Sequence, residues 1–141
     1  MAVRKASAVW EGNFREGKGW MRFGSGAFDG EYSYASRFEE GQGTNPEELI
    51  GAAHAGCYSM ALTNELVKAG FKPERVATDA EVTLGRVDGH ARITDIHLST
   101  EVKVPEISNE KFQEIAEMAK KGCPVSAALT GVNITLDAKL D

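Results

Sequence analysis

The stretch from Asn45 to Gly70 constrains this chain more than any other, because it carries helix signals at both ends and an apolar repeat of helical spacing between them. Asn45 is an acceptor suited to the N-cap, Pro46 suits the first helical position, and Glu47 and Glu48 favour the positive end of the helix dipole. Leu49, Ile50, Ala53, Cys57, Met60 and Ala61 recur along one face, and Gly70 closes the run after Lys68 in the last turn. The small residues of GAAHAG admit close approach of a neighbouring helix or sheet. So apolar a central helix in a chain of 141 residues points to cover from a second copy.

On either side the pattern changes to strands. Eight of the 15 glycines fall within the first 43 residues and separate the short alternating runs Ala2 to Trp10, Trp20 to Ser25 and Tyr32 to Phe38, the pattern of an antiparallel meander. Gly24 and Gly26 have the wrong spacing for a dinucleotide fingerprint, and no helix follows them. After the helix, Ala80, Val82 and Leu84 alternate, Asp88 and Gly89 make a turn, and Ile96, Leu98, Val102 and Val104 mark the returning strand. Ser108 can cap a helix whose Phe112, Ile115, Ala116 and Ala119 face the core and which stops at Gly122. Pro124 fits the first position of a short further helix, which puts Cys123 at its N-cap. Val132, Ile134, Leu136, Ala138 and Leu140 then alternate with polar residues in a closing strand. The expected class is α+β, with residues 1–141 as one domain.

Sixteen basic against 21 acidic residues leave a net charge of −5 and a pI near 5.3, with the cations scattered, which argues against nucleic acid as a partner. No run approaches the length of a membrane span, and MAVRKASAVWEG lacks the apolar core of a signal peptide, so a soluble, cytoplasmic protein is expected.

Two cysteines, Cys57 and Cys123, are too few for a disulfide framework. Taken singly, Cys57 reads as a packed thiol and Cys123 as a small residue in a cap position. Taken together, a thiol on a helix and another at a helix N-terminus form an attacking and resolving pair, and the dipole favours the thiolate of Cys123. A thiolate that attacks a peroxide needs a positive group that also steadies the leaving oxygen. Arg37 in YSYASRF is the candidate, placed by strand alternation on the face opposite Tyr34 and Phe38; its plain alternative is a solvated strand arginine. His54 and Cys57 are spaced as metal ligands could be, but no further ligand is adjacent and no metal is expected. His90 and His97 read as turn and strand-surface residues without partners.

The segments TNPEELIGAAHAGCYSMAL (Thr44 to Leu62) and KGCPVSAALTGVNITLDAKL (Lys121 to Leu140), with WEGNFREGKG and SRFEEGQGTNP, closely resemble the osmotically inducible protein C (OsmC) family. Less closely, they are similar to the related organic hydroperoxide resistance proteins. The resemblance implies an OsmC-like α+β fold of antiparallel sheets around a long central helix, in an intertwined homodimer. It also implies a thiol-dependent peroxidase for organic hydroperoxides that uses neither metal nor haem and is reset by a dithiol, with a lipoyl-bearing protein as the favoured donor. Carried over by motif, Cys57 corresponds to the peroxidatic cysteine, Cys123 to the resolving cysteine, Arg37 to the arginine that stabilises the thiolate, and Glu47 to the carboxylate that holds it. Gly56 stands where Ala is commoner, a change expected to loosen the helix slightly.

The implied chemistry is attack of the Cys57 thiolate on a hydroperoxide, release of alcohol, and condensation of the sulfenic acid with Cys123. An apolar pocket drawn from Trp20, Phe23, Phe28, Tyr34, Phe38 and Met60 would favour bulky hydroperoxides over hydrogen peroxide. Ten residues of straight helix between Glu47 and Cys57 span about 15 Å. Contact therefore requires a bridging arginine, a break near Gly51 or a meeting across the dimer, and Glu48 is the fallback for Glu47. Two other functions fit the same residues: a slow redox sensor, and a non-enzymatic binder of an apolar ligand at the dimer interface.

Overall fold

The computed structural model describes residues 1–141. The elements are β1 (Ala6–Glu11), β2 (Lys18–Phe23), β3 (Asp29–Tyr32), α1 (Tyr34–Phe38), α2 (Pro46–Lys68), β4 (Arg75–Val87), β5 (His90–Lys103), α3 (Asn109–Gly122), α4 (Pro124–Ala128) and β6 (Asn133–Leu140). This is the expected α+β order with one addition, α1. The chain divides into two compact units, Met1–Leu49 and Ile50–Asp141.

In the first unit, β1, β2 and β3 form the antiparallel meander that the glycine-punctuated runs predict. The third strand ends early, however, and the rest of the Tyr32–Phe38 run is helix α1. Ser33 is the cause. Its hydroxyl accepts from the Ser36 N–H at 3.0 Å, while the Ser36 hydroxyl accepts from the Ser33 N–H at 2.8 Å, a reciprocal capping box that overrides the alternation. The Ser36 hydroxyl also donates to the Thr44 carbonyl at 2.7 Å, and the Asn45 side-chain amide donates to the Ser36 carbonyl at 3.1 Å. These bonds tie α1 to the start of α2. Asn45 is the expected cap there, accepting from the Glu48 N–H at 2.7 Å.

The second unit is built on the β4–β5 hairpin, closed by Asp88 and Gly89 with φ of 52° and 77°, as a two-residue primed turn requires. β6 then adds to β5 in parallel, so this sheet is mixed where antiparallel pairing was expected throughout. The reason is the crossover: α3 and α4 carry the chain back to the end from which β5 set out. Ser108 caps α3 by accepting from the Lys111 N–H at 3.1 Å. The core gathers Tyr58, Leu62 and Leu66 from α2, Ile96, Leu98 and Val102 from β5, and Phe112, Ile115, Ala116 and Ala119 from α3. Each large apolar side chain so buried contributes about 1.5–3 kcal/mol.

The buried side of α2 is Gly51, His54, Tyr58, Leu62 and Leu66, a different face from the one its apolar repeat predicts. Ala53 and Met60 are exposed, and Cys57 and Ala61 are only half-buried. Tyr58 and His54 turn inward with polar partners for the Tyr58 hydroxyl, which donates to the Ala116 carbonyl at 3.0 Å, and for one ring nitrogen of His54, which meets Ser126. Close approach occurs at Gly51, where an added Cβ would lie 3.3 Å from Val82 Cγ2. Gly56 faces open space. No helix is long and apolar enough to cross a membrane.

Candidate active site

Both cysteines are free thiols in the second unit, and they differ in access. Cys57 is half-buried and borders a groove of about 580 Å³, together with Met60, Ala61, Ala119, Gly122 and Pro124, and with Asn64, Glu65 and Lys68 on its polar side. Cys123, at the end of α3 and the N-cap of α4, is completely buried. A small molecule in the groove therefore meets the sulfur of Cys57 and not that of Cys123.

Their acidities run the other way. Burial pushes the Cys57 thiol above its ordinary value, the neighbouring Cys123 thiol pushes it further, and the Val125 N–H opposes them without prevailing. Burial acts on Cys123 in the same sense, but the Ser126 and Val125 N–H groups, the Cys57 thiol and the Ser126 hydroxyl together hold it below its ordinary value. The helix-end reasoning from sequence thus agrees with the structure in making Cys123 the more acidic thiol. It is also the inaccessible one.

In the first unit, Arg37 sits on α1 rather than on a strand, so alternation does not set its direction. What sets it is Glu47, in the first turn of α2. Arg37 Nη2 donates to Glu47 Oε1 at 2.7 Å, and Nε lies 3.1 and 3.2 Å from the two carboxylate oxygens. This bidentate grip fixes the plane of the guanidinium and leaves Nη1 to donate elsewhere. Glu47 is nearly buried, whereas Arg37 keeps 34% of its side chain exposed. Glu48, the fallback, is engaged instead with the Thr44 hydroxyl at 3.2 Å. α2 is a helix from Pro46 to Lys68, with no break at Gly51.

Of the residues named as possible pocket walls, Met60 lines the Cys57 groove. Tyr34 and Phe38 pack with Phe14, at ring separations of 5.2 and 5.9 Å, and Phe23 packs on Phe28 at 5.0 Å. Trp20 donates from its indole to Asp29. His97 does have partners, Thr135 Oγ1 at 2.5 Å and Asp137 Oδ2 at 3.0 Å, because the parallel register sets it opposite Thr135. Sequence reasoning missed Ser126, which binds His54 Nε2 at 2.7 Å and is among the groups that hold the Cys123 thiol below its ordinary value. Its spacing of three from the cap residue was the available signal; nothing local ties it to His54.

The family model for OsmC-like proteins matches residues 39–137. Peroxiredoxin OsmC of Escherichia coli (strain K12) is 49% identical over 138 residues, which is 97% of this chain and 96% of the relative. An organic hydroperoxide resistance protein of Xanthomonas axonopodis pv. citri is 31% identical over 98 residues, covering 68% of this chain and 67% of the relative. The fold is matched by an organic hydroperoxide resistance protein OsmC from Legionella pneumophila, with a TM-score of 0.74, 20% identity and 99% of each chain covered. The family match over residues 39–137 and the identity over nearly the full length of both chains agree: the chain belongs to the OsmC family.

Proposed function

We propose that this chain is a thiol peroxidase that reduces organic hydroperoxides, with Cys57 as the attacking thiol and Cys123 as the resolving one. The observation that carries the reading is the pairing of one thiol open to a groove with a second, fully buried thiol close enough to alter its protonation. The E. coli relative is a peroxiredoxin and the Xanthomonas relative a hydroperoxide resistance protein, and the same activity is assigned here. Access decides the order of attack, since a peroxide cannot reach Cys123 before Cys57.

The Cys57 thiolate attacks one oxygen of ROOH, the O–O bond breaks, and the leaving alkoxide takes a proton to become alcohol, leaving Cys57 as sulfenic acid. Cys123 then attacks that sulfur, giving a Cys57–Cys123 disulfide and water. An external dithiol, with a lipoyl-bearing protein as the favoured donor, reduces the disulfide and is itself oxidised. Met60, Ala61 and Ala119 give the groove an apolar side suited to an organic R group.

None of the groups that shift the Cys57 thiol is a cation, and its acidity is shifted the wrong way. Arg37, held by Glu47 with Nη1 unspent, is the group that this chemistry needs. The reading assigns that guanidinium to a second copy in a homodimer, with residues 1–141 acting as one domain. Two features support this: the unbroken helix between Glu47 and Cys57, and the exposed Met60 and Val67 at 77% and 56%.

The test is single-turnover consumption of cumene hydroperoxide by the reduced protein, with thiols counted by mass spectrometry. The expected result is rapid loss of both thiols and about 2 Da per chain, reversed by dihydrolipoamide. Cys57→Ser should consume nothing and Cys123→Ser about one equivalent; the reverse pattern would overturn the assignment. Mixing Arg37→Ala chains with Cys57→Ser chains should restore activity, because one site of the hybrid then holds both intact groups. Failure to complement would place Arg37 beside the thiol of its own chain.

A further inference from the structure

His54 is completely buried on α2, yet only one of its ring nitrogens has a partner. Nε2 lies 2.7 Å from Ser126 Oγ, while Nδ1 is buried with nothing to bond. Burial lowers the pKa of the imidazole, so at neutral pH it carries one proton and must choose a nitrogen for it. With the proton on Nδ1, a buried N–H would have no acceptor. With the proton on Nε2, only a lone pair is left unmatched, which costs less than an orphaned donor. The second tautomer has a consequence for Ser126: its oxygen becomes the acceptor, and its own hydroxyl proton is released to point elsewhere.

We propose that His54 is a positioning residue for Cys123, acting through Ser126: Nε2–H holds the serine oxygen and turns the hydroxyl proton onto the Cys123 sulfur. Ser126 is the third residue of α4 and Cys123 is its N-cap, the spacing at which a side chain reaches back to the cap. The Ser126 hydroxyl is among the groups that hold the Cys123 thiol below its ordinary value, in agreement with a donor aimed at the thiolate. The titratable groups facing that sulfur from α2 are Cys57 and Tyr58. Tyr58 is not free to serve it, since its hydroxyl donates to the Ala116 carbonyl.

The consequence for the reaction, which rests on the peroxidase reading above, falls on the second step. Cys123 enters it as thiolate, forms the S–S bond, and the hydroxide expelled from the Cys57 sulfenic acid takes up the proton that Cys123 gave away, leaving water. A buried thiol that must react without access to bulk base is thereby prepared in advance. The first step, attack by Cys57, does not depend on the His54–Ser126 pair.

Two measurements test the proposal without using peroxide. In the wild-type protein, the ¹⁵N shifts of the His54 ring should report the Nε2–H tautomer; the Nδ1–H tautomer would overturn the proposal. In a Cys57→Ala chain, the Cβ shift of Cys123 followed against pH should move up by about one pH unit in Ser126→Ala, a tenfold loss of thiolate. His54→Leu should move it in the same direction, His54→Gln should restore it with its amide donor, and the Ser126→Ala/His54→Leu double variant should match Ser126→Ala alone. An unchanged Cys123 titration, or additive effects of the two substitutions, would mean that His54 only packs. In the otherwise native chain, Ser126→Ala should slow disulfide closure about tenfold. Absence of peroxide consumption in the wild type would end the peroxidase reading without touching the tautomer or the titration.

Discussion

The two units of the chain are held together by different physics. Ile50–Asp141 has a continuous apolar core drawn from α2, β5 and α3, whereas the buried side chains of Met1–Leu49 are polar ones, Ser36 and Glu47. The apolar residues of that first unit, among them Val9, Phe14, Trp20, Phe23 and Phe38, keep substantial exposure. Its order comes from ladder hydrogen bonds, the Ser33–Ser36 capping box and the ties from Ser36 and Asn45 across the α1–α2 junction. The chemistry is divided along the same line, with both thiols in the apolar unit and the guanidinium–carboxylate pair in the polar one. A buried core can enclose a thiol such as Cys123 completely, whereas the hydrogen-bonded first unit leaves a third of the Arg37 side chain exposed.

The contrast can be broken by substitution. Phe112→Ala, in the core of the second unit, should lower unfolding stability by about 3–5 kcal/mol in urea denaturation, while Val9→Ala in the first changes it by no more than about 0.5 kcal/mol. Equal losses at the two sites would abolish the distinction. A smaller effect, confined to chemistry, is expected at the charged pair. Arg37→Ala should cut the rate of the first peroxide turnover by roughly 100-fold, as the loss of a charged donor does, with little change in the urea midpoint. With Cys57 as the proposed attacking thiol, the rate should rise with pH as it ionises, and removal of the cation should move that rise to higher pH.

Acid separates the units more gently. His54 belongs to the apolar unit, and its folded pKa lies below the unfolded value near 6.5. As pH falls through about 6.5, the unfolded chain takes up a proton that the folded chain refuses, so stability should drop and keep dropping until the folded value is passed. Urea midpoints at two pH values on either side of that point should differ in the wild type and differ less in His54→Gln. The smallest effect is at Gly56, mid-helix with open space at its Cβ position. Gly56→Ala should add about 0.5–1 kcal/mol and leave peroxide turnover unchanged, which would show that helix stiffness beside Cys57 does not limit the chemistry.

Much of the fold was legible because its signals are local. The caps Asn45 and Ser108, the Asp88–Gly89 turn, Pro124 after Cys123 and the alternation of β6 each act through neighbours a few residues away. Where the reading went astray, one local signal competed with another or with a distant partner. The capping box outweighed alternation at Tyr34–Phe38 and put Arg37 on a helix, and Tyr58 and His54 outweighed plain apolarity in choosing the buried face of α2.

The sequence by itself therefore determined the order of every element but α1, the two cysteine segments and the residue types available for a thiol reaction, since these depend on backbone preference and side-chain chemistry. Only the tertiary structure decided which thiol is open to the groove, that Arg37 is gripped by Glu47 rather than Glu48, and that His54 meets Ser126. The last pair lies 72 residues apart, and both partners are ordinary for their helices. Their meeting is set by how α4 packs against α2, and packing depends on the summed shape of a core rather than on any local motif.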